Sequence, residues 1–290
     1  MKTTSTTEPA LSRASLTPEL TTLKAAIAAA ALAALAALSV PAAATPSFEG
    51  LDPVSKGLAI AEEADRRDQG FGDSQATLTM ILRNAHGEES TRELRNRTLE
   101  QADDGDKSLV IFDHPRDVKG TAFLTFSHID GDDDQWLYLP ALKRVKRISS
   151  SNKSGPFMGS EFAYEDISSQ EVAEYTYRYL RDEELNGQST YVVERVPVHP
   201  KSGYQRQEVW FDREEFRPLK TVFYDRKGDL LKTLEQQGFE RYLERYWRPA
   251  RMTMVNHQTG KSTELKWSDY VFQNGYSESD FNRAGLARAR

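Results

Sequence analysis

Apolar and polar positions change their period along the chain. Leu51, Val54 and Leu58 recur at helical spacing, with Ala59, Ile60 and Ala61 behind them, which predicts an amphipathic helix over 51–67 packed through that face. Asp52 before Pro53 supplies an N-cap and a first helical position. The glycine-containing run 69–73 breaks the helix, and the period then falls to two.

Ala76, Leu78, Met80 and Leu82 alternate with Thr77, Thr79 and Arg83, a strand with one apolar face. After a turn at His86-Gly87-Glu88, residues 90–100 alternate among mostly polar side chains, which predicts a polar strand at a sheet edge. Strands follow over 107–113, 121–129 and 135–148, separated by the acidic turns at 103–106 and 130–134. From 149 to 170 the alternation stops. It resumes over 174–182, 189–198, 204–212, 219–225, 230–242, 250–256 and 263–272, with Asn186-Gly187 and the glycine-bearing runs at 226–229 and 258–261 as turns. A short helix over 277–287, capped by Ser277, is expected to end the chain. The expected fold is therefore mainly β, an α+β arrangement of about twelve strands without a βαβ rhythm. Since each strand is rotated by roughly 20 to 25° from its neighbour, so large an antiparallel sheet curls into an unclosed barrel, and the early helix covers its hollow.

Composition adds a compartment. Lys24 opens an apolar run through Val40, and Ala42-Ala43-Ala44 supplies small residues for a signal peptidase, so residues 1–44 read as a signal peptide cleaved after Ala44. The apolar run is shorter than the roughly 20 residues a bilayer span needs, and the mature chain is expected to have no integral membrane span. Residues 45–290 are expected to form a single domain in the periplasm. With no cysteine, the chain carries no disulfide, thiolate site or lipidated N-terminal Cys. Its net charge of −6 disfavours a nucleic-acid partner.

Candidate chemistry is sparse. His86, His114, His128, His199 and His257 lie far apart, and neither a His-Glu-x-x-His pair nor a Gly-x-Ser-x-Gly elbow nor a phosphate loop occurs. No catalytic residue and no cofactor is assigned, and the chain is not expected to be an enzyme. The acidic run 130–134 fails the calcium-loop pattern, because Gln135 and Ala141 stand where Gly and Glu are required, so no metal is assigned. Lys143, Arg144, Lys146 and Arg147 are the sharpest charge feature of an acidic chain, a candidate docking surface or a merely solvated strand end. Pro156, Phe157 and Met158 form a small apolar tip between glycines, a candidate gate loop if exposed and a core plug if buried.

Four segments carry a resemblance: 134–148 around Trp136-Leu137-Tyr138-Leu139-Pro140, 159–166 (Gly-Ser-Glu-Phe-Ala-Tyr-Glu-Asp), 208–220 from Glu208-Val209-Trp210-Phe211-Asp212 to Pro218-Leu219-Lys220, and 246–252 (Tyr-Trp-Arg-Pro-Ala-Arg-Met). In order and spacing they resemble the outer-membrane lipoprotein-sorting proteins of the LolA-like superfamily, in a branch linked to RND-type exporters. The resemblance implies an unclosed barrel lidded by helices, whose apolar hollow receives a lipid or the acyl chains of a lipoprotein, with an inner-membrane RND-type transporter as partner. The alternative is a non-carrier adaptor of a transport complex. On alternation, the lipid-binding wall is expected to comprise Leu78, Met80, Leu82, Leu124, Phe126, Trp136, Tyr138, Phe223 and Met252.

Overall fold

The computed structural model describes residues 46–289; the expected signal peptide and cleavage after Ala44 lie outside the described residues. From Phe48 onward the chain forms one compact unit. One helix, α1 (Pro53–Asp68), precedes six strands: β1 (Asp73–Arg83), β2 (Glu89–Leu99), β3 (Lys107–His114), β4 (Ala122–Phe126), β5 (Asp134–Leu139) and β6 (Arg144–Ile148). A crossover built of single 3-10 turns leads to β7 (Tyr175–Leu185), β8 (Gln188–Pro197), β9 (Tyr204–Asp212), β10 (Pro218–Asp225), β11 (Leu230–Tyr242), β12 (Tyr246–Asn256) and β13 (Ser262–Phe272). All thirteen strands belong to one sheet, ordered β6-β5-β4-β3-β2-β1-β13-β12-β11-β10-β9-β8-β7, and every neighbouring pair is antiparallel.

The chain thus meanders outward from β1 to one edge, crosses to the other edge and meanders back until β13 lies beside β1. The two edges, β6 and β7, do not pair, so the barrel is unclosed. Curvature follows from strand twist and is visible in the packing: Ile148 of β6 and Tyr204 of β9, far apart in strand order, belong to one apolar cluster.

Three expectations about the strands and the tail are corrected. Residues 90–100 form β2 in the middle of the sheet, hydrogen-bonded on both sides, because a central strand needs only paired backbone and one core contact. Leu94 supplies that contact, while Arg95 reaches Asp113 of β3 at 2.6 Å. The stretch 135–148 is two strands, since Pro140 cannot donate to a ladder and starts a 3-10 turn that Lys143 closes with φ 49°. The end of the chain makes two 3-10 turns, Glu278–Asp280 and Arg283–Arg288. Asp73 fastens this tail by accepting hydrogen bonds from the backbone N–H groups of Asn274, Gly275 and Tyr276.

Helix α1 begins where expected, with the Asp52 carboxylate accepting from the N–H groups of Val54 (2.9 Å) and Ser55 (3.2 Å). Its packed face is a different one. Leu51, Val54 and Leu58 are exposed, whereas Gly57, Ile60 and Ala61 are buried. The reason is closeness: a Cβ on Gly57 would lie 2.6 Å from the backbone nitrogen of Tyr179, so only a glycine-centred face can approach β7. Ile60 and Ala61 then meet Tyr177, Tyr191, Val193 and Phe216. In an exposed helix Gly57→Ala would add about 1 kcal/mol of stability. Here overpacking against β7 reverses the sign, and urea denaturation is expected to show a loss of about 1–3 kcal/mol; a gain would show that the helix does not sit this close.

Candidate functional site

The sheet's concave face is apolar over most of its width. On β1, Leu78, Met80 and Leu82 stand opposite Trp267, Leu265 and Thr263 of β13, and Leu78 stands opposite Leu94 of β2. Phe112, Phe123, Leu137 and Ile148 extend this wall toward β6, while Met252, Met254, Leu234 and Phe223 extend it toward β10. At one end of the face an aromatic row continues from Trp267 through Tyr270 and Phe272 to Tyr246, each ring stacked on the next at 5.9 to 6.2 Å. The Trp267 indole N–H is buried without an acceptor.

The crossover fills this bowl. Phe157 lies 5.1 Å from the Phe123 ring and 6.0 Å from Phe112; Tyr164 lies 5.4 Å from Phe123; Phe162 is 1 % exposed. Pro156 is exposed and bridges to Ala163, and Met158 is half-buried with φ 50°. The candidate gate tip is therefore seated as a plug.

Polar side chains of the wall hold the plug's second half. Asp166 pairs with Lys232 of β11 at 2.6 Å, both deeply buried, and accepts the Tyr204 hydroxyl at 2.8 Å. Burial and these neighbouring carboxylates push the Tyr204 hydroxyl well above its usual range. Lys232 also donates to the Glu161 carbonyl (3.0 Å), Asn256 to the Glu161 carboxylate (2.7 Å), and the Glu161 N–H to Thr263 (2.9 Å). Glu165 accepts from Ser202 (2.7 Å) and the Gly203 N–H (2.8 Å), and burial raises its carboxyl. The first half makes fewer bonds to the wall, where Arg92 donates to the Met158 carbonyl at 2.6 Å beside the ring contacts; its other bonds run to the second half, from the Phe157 N–H to the Phe162 carbonyl (2.7 Å) and from Ser160 to the Phe157 carbonyl (2.7 Å).

Of the nine expected wall residues, Leu78, Met80, Leu82, Phe223 and Met252 share the concave cluster. Leu124, Phe126, Trp136 and Tyr138 are corrected: they lie on the opposite face, packed with Leu109 and Ile111 beneath Phe281 and Leu286 of the C-terminal tail. Strand β4 is buried on both faces, so its alternation carries no information about which face is which. Phe123 and Leu137, one residue away, hold the concave positions on β4 and β5. The available signal was the tail itself, where Phe281 and Leu286 stand among polar residues and need an apolar surface to cover. Lys143, Arg144, Lys146 and Arg147 are exposed at the β6 edge, with Arg147 paired to Asp134.

The acidic turn 130–134 is not simply solvated. Asp132 bonds His199 of the β8–β9 turn, and Asp133 is raised by burial. Where the crossover leaves the bowl, Glu174 is pushed up to about 7, first by burial and then by Asp133 and Glu171, with Lys153 opposing. Asp106 reaches about 7 through burial and the charges of Glu171, Glu100 and Asp68. Among the described residues no cluster of histidine and carboxylate side chains is arranged to hold a metal.

A cleft of about 260 Å³ lies elsewhere, lined by the β7–β8 turn and by Leu219, Lys220 and the residues 235–239 of β11. That is below the roughly 300 Å³ at which ligand pockets begin. Within the bowl the space beside Phe112 and Phe123 is taken by the rings of Phe157 and Tyr164.

A family model described as "Uncharacterized protein" matches residues 104–288. The structure is similar to an outer membrane lipoprotein-sorting protein domain from Vibrio parahaemolyticus, with 60% identity over 81% of this chain and 100% of that one and a TM-score of 0.80. It is also similar to a DUF1329 family protein from Desulfovibrio piger, at 31% identity over 81% and 100% of the two chains, TM-score 0.78. A LolA superfamily protein from Nitrosomonas europaea shares the fold at 23% identity over 81% and 99%, TM-score 0.64. No curated protein matches the chain in sequence. The fold defines a LolA-like protein, and the chain belongs to the outer membrane lipoprotein-sorting protein family.

Two predictions follow from the plug's anchoring. Lys232→Met strands a buried Asp166 carboxylate and is expected to cost about 3–5 kcal/mol in urea denaturation, while adding Asp166→Asn recovers part of the loss; an unchanged midpoint for the single variant would remove the ion pair as an anchor. The second is a pH dependence. Glu174 is raised in the folded state, so its contribution is complete below the unfolded value and is lost as pH rises through about 7. Relative to the native chain, Glu174→Gln should therefore gain stability between pH 5 and pH 8, and parallel curves for the two proteins would contradict the shift.

Proposed function

We propose that the protein is a periplasmic carrier that takes a lipid, or the acyl chains of a lipoprotein, onto the concave face of its unclosed sheet and passes it toward the outer membrane. The observation that carries this reading is an apolar bowl whose plug, the tip 156–158, is part of the chain and makes fewer bonds to the wall than the second half beside it. Leu78, Met80, Leu82, Phe223 and Met252 would meet the cargo, and Phe157 and Met158 would act as the gate. The family supports the reading, since its relative from Vibrio parahaemolyticus is described as lipoprotein-sorting. Burial of cargo is a non-covalent task, and the chain is read as no enzyme. Among the described residues no helix is long and apolar enough to cross a membrane. Delivery would then rely on an inner-membrane transporter of the RND type, with Lys143, Arg144, Lys146 and Arg147 as the docking cations.

The filled bowl favours one second reading, a non-carrier adaptor that works through its surface alone. Native mass spectrometry with lipid extraction, on the exported protein purified without detergent, separates the two. About one acylated species per chain is expected, with Phe157→Leu raising uptake of added lipid. A clean apo mass with no uptake by either protein would leave the adaptor.

A further inference from the structure

Strand β6 ends the sheet, and its backbone pairs with β5 on one side only, from Gln135 opposite Ile148 to Leu139 opposite Arg144. Among the described residues no backbone hydrogen bond reaches its other side. An open edge of this kind is a template for another strand, which proteins usually block. The far edge is partly blocked: α1 lies against the backbone of Arg178 and Tyr179 in β7.

Strand β6 is only five residues long and carries charge of one sign, both of which discourage pairing with a second copy of the same edge. Lys143, Arg144, Lys146 and Arg147 are exposed in a chain whose net charge is −6. Only Arg147 has a carboxylate partner among the described residues, Asp134. By register, Arg144 and Lys146 stand beside Leu139 and Leu137 on one face of the sheet, and Arg147 stands beside Trp136 on the other. A strand added here would meet cations on both of its faces. Charge that merely repels other copies of this chain could have either sign; a concentrated cationic edge in an acidic protein selects for an acidic occupant.

We propose that β6 is a docking strand that accepts an extended acidic segment of a partner protein as one more strand of the sheet, paired through the backbone and matched by Lys143, Arg144 and Lys146. This rests on the partner-docking part of the reading above and adds the mode of binding and the chemistry of the partner.

The probe is a fluorescent ten-residue peptide of alternating Glu and Val, compared with the same peptide carrying two central prolines, titrated into the exported chain by anisotropy. The acidic peptide is expected to bind and to slow amide exchange over 144–148, and the proline form to bind at least ten-fold more weakly. Arg144→Gln/Lys146→Gln, which keeps the strand and removes two charges, should weaken the acidic peptide at least ten-fold. Equal binding of both peptides would reduce the edge to a charge patch. Protection of 144–148 by phosphatidylglycerol vesicles, or by self-association, in place of the peptide would assign the edge to a membrane surface or to a second copy. Lipid uptake measured on the same preparations keeps the two readings apart: uptake without peptide binding sinks the docking strand alone, and peptide binding without uptake sinks the carrier alone.

Discussion

An antiparallel sheet that stops short of closure leaves an apolar concave face, and the chain must cover that face with something of its own. Here the cover is the connection between the two edges, which has to cross the opening in any case because β6 and β7 lie at opposite ends of the strand order. Its aromatic residues drop into the bowl, while its backbone, too short of regular structure to satisfy itself, takes hydrogen bonds from the walls. Arg92, Gln135 and Lys232 donate to its carbonyls, and Thr263 accepts from the Glu161 N–H. The inward polar residues on otherwise apolar strand faces are explained by the plug they hold.

This also accounts for an ion pair in the core. Asp166 and Lys232 are 8 % and 5 % exposed, a placement that is costly unless each charge is fully partnered. Both are: Asp166 takes Lys232, Tyr204 and the Ala163 N–H, and Lys232 adds the Glu161 carbonyl. Removing one partner of such a pair strands the other charge, so the crossover's second half is held where both are satisfied.

Fold class was legible because period-two alternation persists across most of the strands, and turn glycines punctuate it where the structure needs a positive φ, as at Gly187 and Gly260. Face assignment was legible only where one face is wet. On β1 the polar members Thr77, Thr79 and Arg83 mark the outside, and Leu78, Met80 and Leu82 could be placed. On β4 both faces are dry, because a tail more than a hundred residues away covers the outer one, and local pattern contains no trace of that event. The α1 face failed for a related reason: Leu51, Val54 and Leu58 are the more hydrophobic stripe, but approach distance to β7 selected the smaller residues. The role of Asp166 within 159–166 is not legible in sequence, since its partner Lys232 is 66 positions away.

The uneven tethering of the plug bears on how a carrier can hold and still release. Cargo burial contributes about 25 cal/mol per Å² of apolar surface, but the contacts of the displaced aromatic residues must be lost first, and the difference sets the affinity. If the whole crossover had to leave, the buried ion pair and the hydrogen bonds of Glu161 and Glu165 would go with it. Confined to 156–158, between glycines at 155 and 159, the movement breaks the Arg92 contact, the packing of Phe157 and the hydrogen bonds of Phe157 to Phe162 and Ser160, and leaves the ion pair in place. On the proposed carrier reading, displacing the tip alone costs less than releasing the whole crossover, and a ligand or partner with higher affinity for the displaced state would shift the balance toward it.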